Sequence, residues 1–111
     1  MLANPSSMDF MAVAGTIEDH ASNLPLAASK VLQMLDNLRY MMGIELIHAA
    51  QAVDLRGKPT LGKVTGAVYD AFRKEVSFLD ADRNLRIDIE KAYHFIADGH
   101  LDATIRPADA N

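Results

Sequence analysis

The sequence contains no cysteine. That removes disulfide frameworks, thiolate zinc sites and thiol nucleophiles together, and it suits a reducing compartment, expected to be the cytoplasm. Basic residues are in the minority, 11 against 15 acidic ones, and the formal charge of −4 leaves no phosphate-neutralising field. Nucleic acid is therefore not an expected partner. The first basic residue is Lys30, so the mildly apolar residues 8–14 lack the positive lead of a secretory signal. The most apolar stretch, residues 38–53, is interrupted by Arg39, Glu45, His48 and Gln51. It falls short of the ~18 uninterrupted apolar residues of a spanning helix, so no membrane partner is expected. Neither a Gly-x-Ser-x-Gly elbow nor a glycine-rich phosphate loop occurs, which argues against a hydrolase and a nucleotide-binding protein.

What is present describes a single ordinary globular segment: 111 residues, half of them hydrophobic and 23% charged. Residues 1–22 hold Asn4, Pro5, Gly15 and several serines without a sustained period and read as loop. From Asn23 the pattern becomes helical. Ser22 or Asn23 can cap, Pro25 fits the first turn, and apolar residues recur at Leu24, Ala28, Val31, Leu35, Leu38 and Met42. This predicts a long helix over residues 23–55, ended by Arg56-Gly57-Lys58-Pro59. A second helix is expected over 60–76, with Leu61, Val64, Val68, Ala71, Phe72 and Val76 inward, and a third over 88–98, with Ile89, Ala92, Tyr93 and Ile96 inward and Gly99 as its cap. The last dozen residues look loosely held. No alternating run competes as a strand, so the fold class is all-α.

The long helix carries an argument about assembly. At ~1.5 Å per residue it makes a rod of roughly 48 Å, longer than the diameter of about 34 Å that a compact domain of this size would have. Residues 40–53 are apolar on nearly every face, which two short helices cannot cover. Other chains, or polypeptide beyond these residues, are expected to cover the rest, unless a break at Gly43 shortens the rod.

Three polar groupings have a chemical reading and a plainer one. Glu45 and His48 have the E-x-x-H spacing of di-iron bundles, but the second pair and further glutamates are missing, and a polar seam between helices with Gln51 explains them more simply. Asp80, Asp82 and Asn84 resemble the start of a calcium loop, yet Leu85 stands at its glycine and Lys91 at its closing glutamate. Capping, with Asp82 and Arg83 paired, is the plainer account. Glu18, Asp19 and His20, with Asp9 upstream, precede the long helix, where acids ordinarily serve the macrodipole.

Taken in order, several blocks resemble the C-terminal segment of the aromatic amino acid ammonia-lyases, among them most the histidine-specific branch. They are Leu2-Ala3-Asn4-Pro5-Ser6-Ser7, Glu18-Asp19-His20-Ala21-Ser22, residues 44–56 with Glu45-Leu46-Ile47-His48, Phe78-Leu79-Asp80-Ala81-Asp82-Arg83-Asn84-Leu85 and Asp88-Ile89-Glu90. The resemblance implies non-oxidative elimination of ammonia from an aromatic amino acid, urocanate being the product from histidine. It also implies a homotetramer built on a central helix bundle, and a methylidene-imidazolone electrophile made from an Ala-Ser-Gly triplet. This chain has no such triplet, since Ala28-Ser29-Lys30 and Ala21-Ser22-Asn23 both lack the glycine. The chain alone is therefore expected to be inactive and to need an N-terminal part. Residues 1–22 are then expected to line the pocket and residues 23–111 to form the helical region. By the resemblance the catalytic residue here is Glu18, from the family's Gln-Glu-Asp-His motif. Ile17 replaces the glutamine of that motif, which leaves phenylalanine, tyrosine or an aminomutase reaction as alternatives to histidine. A helical self-association module without catalysis is the alternative from another class.

Overall fold

A computed structural model of the chain describes residues 2–8 and 23–109. Among them are a 3-10 turn, Ser6–Met8, and four α-helices, with no strand: α1 (Leu24–Leu55), α2 (Lys63–Glu75), α3 (Arg86–Ala97) and α4 (His100–Asp109). The all-α class read from the sequence is the class observed. The chain divides into two compact units, Met1–Leu38 and Arg39–Asn111.

Helix α1 begins where Pro25 needs no hydrogen bond and the Asn23 carbonyl accepts the Ala27 N–H at 2.9 Å. It ends in a Schellman cap: the Gly57 N–H donates to the Asp54 carbonyl and the Lys58 N–H to the Val53 carbonyl, each at 3.0 Å. Gly57 supplies the left-handed conformation this closure requires, with φ of 75°. The helix runs through Gly43 without a break.

Gly43 has a packing role instead. A Cβ built on it would lie 3.2 Å from the Ala92 carbonyl carbon, the Ala92 Cβ and the Tyr93 nitrogen. Only a residue without a side chain lets α1 approach α3 this closely. One turn earlier Tyr40 stacks on Tyr93, their ring centres 4.3 Å apart, and the Tyr40 hydroxyl donates to Glu90 Oε2 at 3.0 Å.

The core of the second unit comprises Ala50, Phe72, Val76, Ala92 and Phe95, with Phe72 and Phe95 edge to face at 5.4 Å. On α2 the inward face is the one expected, and Phe72 and Val76 are its most buried members. On α3 the buried residues are Asp88, Ala92 and Phe95, while Ile89, Tyr93 and Ile96 are half-buried. The hydrophobic period thus picked out Ala92 correctly, took the half-buried Ile89, Tyr93 and Ile96 with it, and passed over Phe95 and Asp88. The helix also starts before Asp88, because Asn84 Oδ1 accepts the Arg86 N–H at 3.0 Å.

The last residues are not loosely held throughout. Gly99, with φ of 79°, turns the chain out of α3, and α4 follows with Leu101 against the core. Glycine punctuation here separates two packed helices rather than a helix from a tail.

Large apolar side chains remain exposed along α1. They include Leu24, Leu32, Met34 and Leu38 in the first unit and Met41 and Met42 in the second, with Leu32 at 68% and Met41 at 63%.

Replacing Gly43 tests the close approach of α1 and α3. In an isolated helix Gly43→Ala would gain about 1 kcal/mol. Here the new methyl meets backbone and Cβ atoms that cannot rotate away, and overpacking costs about 1–3 kcal/mol. The expected net outcome is destabilisation in denaturant titration, with Gly43→Leu worse than Gly43→Ala. A stabilised Gly43→Ala protein would refute the account.

Candidate functional site

The residue on which the resemblance concentrates, Glu18, lies outside the described residues, as do Asp9, Ile17, Asp19 and His20. What the structure describes is how the two flanks of that segment are held. Asn23 Nδ2 donates to the Ser6 carbonyl at 2.8 Å, and Lys30 Nζ donates to the Asn4 carbonyl at 2.9 Å. The first turn of α1 and the Asn4-Pro5-Ser6 stretch are thereby tied together on either side of residues 9–22.

The other polar groupings resolve into structural roles. Glu45 and His48 are exposed, and His48 Nδ1 lies 2.8 Å from the Ile44 carbonyl of its own helix. The expected buried seam is therefore confined to Gln51. Its side-chain amide donates to the Leu79 carbonyl at 2.8 Å, and its Oε1 accepts the Leu79 N–H at 3.1 Å. This double bond pins the connection between α2 and α3 to α1. Within that connection Arg83 pairs with Asp88 at 2.9 Å, not with Asp82, and donates to the Ser77 and Phe78 carbonyls at 3.0 Å. The partner of Arg83 is the buried acid because there the charge pair is screened least. Among the described residues no group of three or more His, Asp or Glu side chains is arranged to hold a metal ion.

One buried ionic group was not singled out by sequence reasoning. Asp54, in the last turn of α1, accepts the Tyr69 hydroxyl on Oδ1 at 2.5 Å and lies 2.6 Å from Arg73 Nη2 through Oδ2. Lys58 Nζ stands 3.5 Å away from Oδ1. The Arg73 contact is an ion pair with poor hydrogen-bond angles, leaving Arg73 Nε buried without a partner. Arg73 Nη1 reaches the carbonyls of Val76 and Ser77, where a cation also complements the end of α2. Burial on its own raises the Asp54 carboxyl. The hydrogen bond from Tyr69 and the close positive charge of Arg73, with that of Lys58, outweigh it and hold the group below its ordinary range. The usable sequence signal was a tyrosine and an arginine four apart on α2, facing a lone acid at the end of an apolar helix.

The site also bears on the electrophile. Ala28-Ser29-Lys30 lies within α1, where the helix fixes the backbone in a geometry unlike a cyclised triplet, and the glycine is absent. These residues do not fit the family's prosthetic group. No step is assigned to it in this chain.

An all-α segment with one long, partly exposed apolar helix is the architecture among the described residues, and comparison with known proteins places it. The family model for aromatic amino acid lyases matches residues 1–74, and the chain belongs to that family. It is 41% identical over 97 residues to histidine ammonia-lyase of Treponema denticola, covering 87% of this chain and 19% of that protein. It is also 41% identical over 101 residues to histidine ammonia-lyase of Gloeobacter violaceus, covering 91% and 20%. Among solved structures it matches the ergothioneine-degrading enzyme ergothionase from Treponema denticola in complex with desmethyl-ergothioneine sulfonic acid. That match has a TM-score of 0.83 and 59% identity, and it covers 90% of this chain and 20% of that one. The chain thus spans about a fifth of the length of the relatives it matches.

Asp54 sets a pH dependence. Asp54→Asn is expected to destabilise the second unit by roughly 3 kcal/mol near neutrality, because it leaves Arg73 buried without its charge partner. The folded-state pKa of Asp54 lies below that of the unfolded chain, which is about 3.9. The carboxylate's contribution is therefore complete above that value and is lost as pH falls through the folded one. Denaturation midpoints of parent and variant should be furthest apart at pH 7 and converge in acid. A separation independent of pH would show that the charge on Asp54 is not what matters.

Proposed function

We propose that this chain forms the C-terminal portion of a lyase subunit acting on a histidine-type substrate, with ergothioneine, the trimethylated betaine of a thiol-bearing histidine, favoured over histidine itself. The observation that carries this reading is the contrast in similarity: 59% identity to the ergothionase against 41% to the two histidine ammonia-lyases, over nearly the same residues. The replacement of the motif glutamine by Ile17 agrees with a substrate other than histidine.

In such an elimination the ring-bearing carbon loses a proton to a base, its C–H pair forms the double bond to the neighbouring amine-bearing carbon, the C–N pair leaves with the nitrogen, and the conjugated acid forms. An ammonium must be deprotonated before it is bound productively to an electrophile, so a carboxylate near it can serve as base. A trimethylammonium carries no N–H. Toward it Glu18 acts as a counter-charge that positions the cation. The family's methylidene-imidazolone would activate an amine whose lone pair can add to it, which a trimethylammonium lacks, and its precursor triplet is absent from these 111 residues. The exposed apolar side chains of α1 support a homo-oligomer, and the family's tetramer is the form proposed. No helix among the described residues is long and apolar enough to cross a membrane, which is compatible with the cytoplasmic location proposed.

The test is turnover by the complete subunit that contains this segment, offered ergothioneine, histidine, phenylalanine and tyrosine, with the conjugated acid followed by absorbance. Ergothioneine should show the highest kcat/KM. Turnover of histidine with none of ergothioneine would overturn the substrate assignment, and turnover of neither would overturn the class. Glu18→Gln should fold normally and lower turnover of ergothioneine by roughly 10²- to 10³-fold through loss of the counter-charge. Glu45→Gln, on an exposed helical position, should leave turnover unchanged.

A further inference from the structure

Along the part of α1 that belongs to the second unit, two sides of the helix have opposite fates. Gly43 and Ala50 are buried, and Leu46 and Ile47 pack with Ala50 on the core. On the other side Met41, Glu45, His48, Ala52 and Leu55 are all exposed. Their spacing is 4, 3, 4 and 3 residues, the alternation that sets side chains along the seam of one helix against another. Met42 and Ile44, also exposed, widen that seam. In the first unit Val31, Met34 and Leu38 keep the same alternation and are exposed as well.

The two polar members of the seam select what can cover it. Burying the methionine and leucine side chains is favourable, but Glu45 and His48 are covered without loss only if the facing helix answers each of them. A second copy of α1 does so in one register. Run antiparallel and centred between the two, each Glu45 faces His48 of the second copy, and each Met41 faces its Ala52, a large side chain against a small one. A shift by one heptad sets Glu45 against Met41 or Leu55, and a parallel pair in register sets Glu45 against Glu45. A carboxylate opposite an apolar chain or opposite its own kind is the costly arrangement. His48 Nδ1 lies 2.8 Å from the Ile44 carbonyl and so carries its proton there. Nε2 is left for the facing carboxylate, to which it donates once the ring is an imidazolium.

We infer that α1 pairs antiparallel with α1 of a second copy through Met41, Glu45, His48, Ala52 and Leu55, with two reciprocal Glu45–His48 contacts fixing direction and register. The inference rests on the homo-oligomer reading above and adds to it the face, the direction and the residues. It does not depend on the substrate. The same two contacts make association depend on the charge of His48, which in the separate chain is exposed, has Glu45 as the one charged residue three or four positions away on its helix, and meets Glu45 of the second copy in the pair.

Because the 111-residue chain has no cysteine, introduced thiols report the pairing directly. Circular dichroism and sedimentation first establish that each variant is folded and associated. In the antiparallel register Met41 and Ala52 are neighbours across the pair, whereas the two copies of Met41 lie 11 positions apart. That is roughly 16 Å along the axis, beyond the reach of a disulfide. Under mild oxidation Met41→Cys and Ala52→Cys chains should cross-link to each other when mixed, and neither should cross-link to itself. His48→Glu, which sets acid against acid at both contacts, should weaken association at least about tenfold, and adding Glu45→Lys to it should restore association. Glu45→Gln keeps a hydrogen-bonding side chain in place and should still associate. The parent should associate more tightly at about pH 6 than at about pH 8, and His48→Gln should lose that difference. Self-linking of Met41→Cys chains, associated chains whose mixture does not cross-link, or association indifferent to His48→Glu or to pH would overturn the pairing and leave the homo-oligomer reading standing. A parent chain that stays monomeric up to about 1 mM would overturn both.

Discussion

The helical unit depends on the burial of one carboxylate. Asp54 sits where α1 ends, and its two oxygens are taken by Tyr69 and Arg73 of α2. Without that pair the Schellman cap at Gly57 would still terminate α1 but nothing polar would fix α2 against it. Arg73 transmits the constraint onward, since its other nitrogen binds the Val76 and Ser77 carbonyls and so defines where α2 stops. From there Gln51 and Arg83 hold the connection to α3. Each successive polar contact closes on a backbone group the previous one has positioned, and the hydrophobic cluster around Phe72 and Phe95 forms inside that frame.

The helical class, the extent of α1 and its glycine cap were legible because each rests on local chemistry: periodicity, a capping residue, a glycine followed by proline. The inner face of α3 was legible only in part: Ala92 was expected inward and is buried, whereas Phe95 was passed over in favour of Ile89 and Ile96, which are half-buried. The close approach of Gly43 selects Ala92 for that position, and a contact between residues 49 apart leaves no trace in a helical period. Helix α4 was missed for a related reason. Gly99 marks a turn, but whether a helix resumes afterward depends on whether there is a surface for Leu101 to bury, which is a tertiary property. Glu45 and His48 show the opposite failure. A spacing with a metal-binding reading, and a plainer reading as a buried seam, both gave way to two solvent-facing residues on one helix.

The candidate site was legible only through resemblance. Nothing in the local chemistry of Glu18-Asp19-His20 separates a pocket acid from one serving a helix N-terminus, because both uses place carboxylates ahead of the first turn. Ordered blocks spread along the chain carried the family resemblance, and the family match over residues 1–74 agrees with that resemblance. The structure adds the tether, Asn23 to Ser6 and Lys30 to Asn4, which neither block pattern nor period reveals.

The exposed side chains of α1 connect these observations to the size of the relatives. An isolated soluble helix does not keep leucine and methionine residues such as Leu32 and Met41 more than 60% exposed along its length without a partner surface. The chain spans about a fifth of the proteins it resembles, so polypeptide able to cover that face exists in every relative compared. Burial of the charged groups follows the opposite plan, with Asp54 paired to Arg73 and Asp88 to Arg83 inside the second unit. Charged groups thus pair within the second unit, while leucine and methionine side chains along α1 remain exposed.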